Sequence, residues 1–151
     1  MSGSHPISSE IEQRIRLSFA RQGLMGTIGA QLQAVRPGEV DILLPFNQAL
    51  TQQHGFLHAG IVTTIADNAC GFAALSMMPD DAAVLTTEFK VNFMSPAKGD
   101  HLRAIGRVVR AGRKLIVCLA DVFAYEGANE KHIALMTASM MVVTAADNLR
   151  D

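Results

Sequence analysis

A chain of 151 residues is long enough to bury roughly two-thirds of its unfolded surface as one domain, so neither a disulfide framework nor a structural metal is required. With 49% hydrophobic residues but seven phenylalanines, one tyrosine and no tryptophan, the core must be built from aliphatic side chains, alanine and methionine. A net charge of −1, with no block of charge at either end, gives no global attraction to nucleic acid or to a membrane surface.

In chain order, Ser9 followed by Glu12 has the spacing of a capping box, and Ile11, Ile15 and Phe19 repeat every four residues, predicting a first helix that stops near Gly23. From Thr27 the period changes to two, with Ile28, Ala30, Leu32 and Ala34 on one side, predicting a strand. Arg36-Pro37-Gly38-Glu39 suits a type II turn, and Val40, Ile42 and Leu44 resume the alternation to complete a hairpin. A polar, glycine-containing loop, Leu50 to Leu57, then leads into Ala59 to Pro79, a long apolar run predicted to be a helix buried on nearly all sides. Thr63, Thr64, Asp67, Asn68 and Gly71 punctuate that run, which is not what the centre of a bilayer tolerates.

Four extended segments follow: Val84 to Ser95, Leu102 to Val109, Lys114 to Tyr125 and His132 to Thr144. In the first, alternation sets Leu85, Thr87, Phe89, Val91 and Phe93 on one face and Thr86, Glu88, Lys90 and Asn92 on the other. The expected domain is a single α+β unit spanning residues 1–151, loose at 1–7 and 146–151: a long helix lying across a curved antiparallel sheet of five or six strands, with an N-terminal helix. Apolar positions on both faces of the last two strands, such as Ile116, Val117, Met140 and Met141, predict that further copies cover the sheet. MSGSHPISSEIEQRI lacks the basic-then-apolar order of a secretory signal, so a cytoplasmic location is expected, with Cys70 and Cys118 as buried free thiols.

Asp67 is the only formally charged side chain between Ala59 and Pro79. Burying an ionised carboxylate is costly without compensation, so Asp67 either caps a loop or faces a wet seam, or it serves chemistry. His54 and His58 are four apart, but no third ligand is placed by spacing, and no metal is expected. Arg103, Arg107, Arg110, Arg113 and Lys114 put five cations close together with no acid among them; they either bind phosphates or protect a solvated edge strand. Phe56, Ile61, Phe72, Met77 and Met78 either line a pocket or belong to the core.

The joint pattern of Gln52, His58-Ala59-Gly60, Asp67, Thr86 and Asn92-Phe93-Met94-Ser95-Pro96 resembles the hotdog-fold acyl-CoA thioesterases of the phenylacetic-acid-pathway (PaaI-like) group, over roughly Pro45 to Val143. The resemblance implies that Asp67 acts as nucleophile or general base on an acyl-CoA thioester, with Gln52 at the acyl group or water. It further implies that helix-start amides at Ala59 and Gly60 hold the oxyanion and that Thr86 orients the water; His58, read on its own chemistry, is expected to fix the loop by hydrogen bonding to backbone. Ala59 departs from the family's His-Gly-Gly at its second position, the first of the two glycines: at positive φ it would be strained, whereas in ordinary helical backbone it donates equally well. The resemblance implies no cofactor beyond the CoA of the substrate, for whose phosphates Arg110, Arg113 and Lys114 are candidates. It implies active sites that straddle a homodimer interface, in a dimer or a dimer of dimers, and neither a nucleic-acid nor a membrane partner. Two alternatives share these residues: a hotdog hydratase or dehydratase using His58 with the acid, and a non-catalytic acyl-CoA-binding dimer.

Overall fold

The computed structural model describes residues 7–144, so the expected loose ends fall almost wholly outside the described residues. The first helix, α1 (Ser9–Arg21), is capped one residue earlier than predicted: the Ser8 hydroxyl accepts from the Ile11 N–H at 3.3 Å. Glu12 therefore lies past the position that closes a capping box and pairs with Arg16 instead. A second short helix, α2 (Gly23–Ile28), takes up the first residues of the strand predicted from Thr27, which begins instead at Gln31. Met25 and Ile28 bury one side of it and Gly29, at φ +77°, ends it in the left-handed region, signals too short to stand out against the two-residue alternation that follows.

The hairpin of β1 (Gln31–Arg36) and β2 (Glu39–Pro45) forms as predicted, with Gly38 at φ +72° in its turn. The central helix, α3 (Ala59–Leu75), stops four residues before Pro79. Its end is tied down by Ser76, whose hydroxyl donates to the Ala73 carbonyl at 2.6 Å and accepts from the Gly38 N–H at 2.7 Å. β3 (Ala83–Phe93), β4 (His101–Ala111), β5 (Leu115–Glu126) and β6 (Asn129–Val143) complete one antiparallel sheet of six strands in the order β1-β2-β4-β5-β6-β3. β1 and β3 are its edges.

α3 lies across one face of this curved sheet, on Val40, Ile42 and Leu44 of β2, Ala104 of β4, Cys118 and Ala120 of β5 and Met136 of β6, all fully buried. The approach is close at Gly106, where even a Cβ would come within 2.2 Å of the Ala69 carbonyl carbon. Burial is not all-round, however. Gly60, Thr63, Thr64, Asp67, Asn68 and Gly71 form a stripe along α3 that the chain leaves partly open. Cys70 and Cys118 are buried and free, with the Cys118 thiol 3.6 Å from the Cys70 carbonyl.

β3 departs from its predicted faces because of a bulge between Thr86 and Glu88. Thr86 stands opposite the buried Met140, on the side facing α3, and beyond the bulge Phe89 and Phe93 stand opposite buried Ala138 and Ala134 on that same side. The cation cluster is also divided. Arg103 clamps the buried carboxylate of Asp41, and Arg107 pairs with Asp121, which His132 also contacts at 3.0 Å. The acids missing from the local sequence are thus supplied by neighbouring strands.

Candidate active site

Asp67 sits mid-way along α3, half-buried, with its Oδ1 accepting a 2.7 Å hydrogen bond from the Thr86 hydroxyl of β3. Burial pushes the carboxyl above the usual carboxylate range, and the Thr86 hydrogen bond, which favours the charged form, opposes that shift. The pair opens into a cleft of about 250 Å³ lined also by Asn68, Gly71 and Phe72 of α3, Val84 and Leu85 of β3, and Ser18 and Gln22 of α1. The amide of Asn68 donates weakly to the Thr64 carbonyl at 3.4 Å, and its buried Oδ1 has no hydrogen-bond partner.

A second cleft, of about 480 Å³, surrounds the start of α3 and holds Gln52, Phe56, His58 and Ala59 together with Phe93, Met94, Ser95 and Pro96. The loop in front of the helix is pinned by backbone bonds from Gln52 N–H to Phe56, from Gly55 N–H to Gln52 and from Leu57 N–H to Ala97, with Gly55 at φ +83° making the reversal. Within it the Gln52 side-chain oxygen accepts from the His54 N–H, so only the NH₂ end of that amide is free to donate. His58 caps α3: its Nδ1 accepts from the Gly60 N–H at 2.8 Å, which places the proton of a neutral ring on Nε2.

The first helical amides are therefore unequal. Those of Ile61 and Val62 donate to the His58 carbonyl and that of Gly60 to the His58 ring, while the Ala59 N–H has no partner among the described residues. Ala59 is the first helical residue and is not at positive φ, so alanine carries no strain there.

The structure thus joins the predicted residues in two groups. Asp67 meets Thr86, and Gln52 meets His58 and Ala59, but eight residues of helix separate Ala59 from Asp67, roughly 12 Å along the axis. His58 opens on a different cleft from Asp67, so the pairing a hydratase would need does not exist within one chain. Arg110, Arg113 and Lys114 line neither cleft; they are exposed around the β4–β5 turn. Of the apolar candidates, Phe72 lines the Asp67 cleft and Phe56 the other, whereas Ile61, Met77 and Met78 line neither. Ser18, Gln22 and Gly71 were not legible as site residues; the one available signal was that Gly71 lies four residues after Asp67, on the same helical face.

A model of the thioesterase superfamily matches residues 54–131 of the chain. The solved structure of a thioesterase family protein from Silicibacter pomeroyi is 50% identical, with a TM-score of 0.87 over 89% of this chain and 98% of its own. The E. coli PaaI protein, from the phenylacetic acid degradation operon, shares the fold at 18% identity, with a TM-score of 0.81 over 91% of this chain and 96% of its own. In sequence, the 1,4-dihydroxy-2-naphthoyl-CoA hydrolase of Listeria monocytogenes is 24% identical over 91 residues, 60% of this chain and 74% of the hydrolase. The helix α3, wrapped by six antiparallel strands and preceded by α1, is the hotdog fold in its PaaI-like form.

Proposed function

The chain belongs to the thioesterase superfamily, and from that premise we propose that it hydrolyses an acyl-CoA thioester to the free acid and CoA, in sites shared between two copies. The observation that carries this reading is the division of the polar residues into an acid cleft and an amide cleft at opposite ends of β3, an edge strand. Thr86 lies near the start of β3 and Phe93 at its end. Antiparallel pairing of two such edges about Phe89 sets Thr86 and Asp67 of one copy beside Phe93, and so beside the amide cleft, of the other. Phe89 and Phe93, 46% and 48% exposed on the side facing the helix, supply apolar surface for that contact.

In the shared site Asp67 acts as general base. Thr86 holds one carboxylate oxygen, leaving the other to take a proton from water as the water oxygen attacks the thioester carbonyl. The Ala59 N–H at the positive end of α3 and the free NH₂ of Gln52, both of the second copy, receive the oxyanion. Collapse breaks the C–S bond, and the thiolate of CoA recovers the proton from Asp67. The CoA phosphates are assigned to Arg110, Arg113 and Lys114. These three cations are exposed around the β4–β5 turn, outside both clefts. No helix among the described residues is long and apolar enough to cross a membrane.

The test is release of free thiol from a panel of acyl-CoAs by the wild-type protein and by Asp67→Asn. A base of this kind contributes about 10²- to 10⁴-fold, so the variant should lose at least that in kcat while remaining folded. An unchanged rate removes Asp67 from the chemistry, and a wild-type protein that binds acyl-CoA without releasing thiol is a binding module.

A further inference from the structure

Glycine inside a helix is destabilising relative to alanine, so it calls for a reason. Outside the helices the glycines have reasons of contact or conformation: Gly106 of β4 lets α3 touch the sheet, and Gly29, Gly38 and Gly55 take positive φ, while Gly26, inside the short α2, lines neither cleft. Gly71 has neither. It lies inside α3 without positive φ, and a Cβ built on it meets nothing within 4 Å. It stands one turn beyond Asp67 on the same face and lines the same cleft.

We propose that Gly71 is a specificity-determining residue: its missing side chain keeps open the space next to Asp67 in which the acyl group lies, and so sets the size of acyl group accepted. This rests on the reading that the acid cleft receives the acyl end of the thioester. The space is bounded on its other sides by Phe72 and Val84 and by Ser18 and Gln22 of α1. The backbone of Gln22 is held from both directions, its N–H donating to the Phe19 carbonyl at 3.1 Å and its carbonyl accepting from the Gly26 N–H at 3.4 Å, so the chain keeps its place at this side of the cleft.

The experiment uses the whole protein with Gly71→Ala and Gly71→Leu. Thiol release is measured over acetyl-, butyryl-, benzoyl-, phenylacetyl-, octanoyl- and palmitoyl-CoA, together with Tm and oligomeric mass. Gly71→Ala should raise Tm by about 2–4 °C, because the propensity gain meets no clash. Gly71→Leu should shift the ratio of kcat/KM between the largest accepted and the smallest acyl group by about 10-fold or more towards the smallest. A lowered Tm in Gly71→Ala, an altered oligomeric mass, or a ratio unchanged in Gly71→Leu overturns the proposal. Thioether analogues of the same acyl-CoAs, titrated calorimetrically, read the same ranking without chemistry. A wild-type protein that releases no thiol therefore refutes hydrolysis alone, and the binding ranking still decides the role of Gly71.

Discussion

Replacing Gly106 with alanine should damage both the fold and the chemistry, because it acts at the point where α3 touches β4. The added methyl would lie 2.2 Å from the Ala69 carbonyl carbon, 2.3 Å from its oxygen and 2.5 Å from the Cys70 nitrogen, all backbone atoms, whereas ordinary contact begins at 3.4 Å. No side chain can swing aside, so α3 must retreat from the sheet by about 1.2 Å. Forcing a methyl into a packed seam costs about 1–3 kcal/mol, which in a chain of this size lowers Tm by roughly 2–12 °C. Asp67 is two residues from the contact and moves with the helix, away from Thr86 on the sheet. A displacement of about 1 Å at a reacting group can reduce turnover by about 10²-fold. Thermal denaturation followed by circular dichroism reads the first effect, and kcat well below Tm reads the second. Wild-type Tm together with wild-type kcat refutes the close contact. A lower Tm with unchanged kcat refutes the idea that helix position sets the position of Asp67.

Two further variants test the site from other directions. Thr86→Val removes the hydrogen bond that stabilises the charged form of Asp67, so the acid limb of the kcat/KM profile should move to higher pH; a limb that stays in place separates Thr86 from Asp67. The same logic gives a stability signature for Asp67→Asn. A carboxyl whose pKa is raised on folding binds its proton more tightly in the folded state, so stability is greatest below that raised pKa and falls as pH rises through it; the asparagine variant should lose this dependence and melt above wild type in mildly alkaline buffer. Mixing inactive Asp67→Asn with inactive Gln52→Ala should restore thiol release, since one of the two sites in each mixed dimer carries neither substitution. Mixtures that stay inactive after verified subunit exchange rule out the shared site.

Long periodic elements were the readable part of this fold. The β1–β2 hairpin could be read because Pro37-Gly38 permits few turns, and α3 because its apolar run is too long for a strand. Misread features were those decided by single contacts. Ser8 and Ser9 are equal candidates for a cap until one hydroxyl meets the Ile11 N–H. The bulge after Thr86 leaves no mark in a strand whose polar and apolar residues alternate on both sides of it, yet it decides that Thr86 and Phe89 share the face towards α3. Arg103 and Arg107 read as free cations because Asp41 lies 62 residues and Asp121 14 residues away, joined to them only by sheet register.

The site was legible to a different degree on each side. Gln52, His58, Asp67 and Thr86 could be named because polar groups stand out at an apolar helix and its entry, but their grouping could not, since it depends on where one helix passes two clefts. The helix read as buried on nearly all sides keeps one partly open stripe of small and polar residues, from Gly60 through Asp67 to Gly71, and this stripe runs beside the exposed apolar edge of β3. A second copy filling all of it would leave no room for substrate, and solvent filling all of it would leave the hydrophobic edge of β3 exposed. The arrangement that meets both demands lets the partner cover Phe89 and Phe93 while the acyl group takes the space beside Gly71. On this view the weak points of the isolated chain, a half-buried acid, an unfilled glycine and an unpaired amide at Ala59, are the places where partner and substrate complete it.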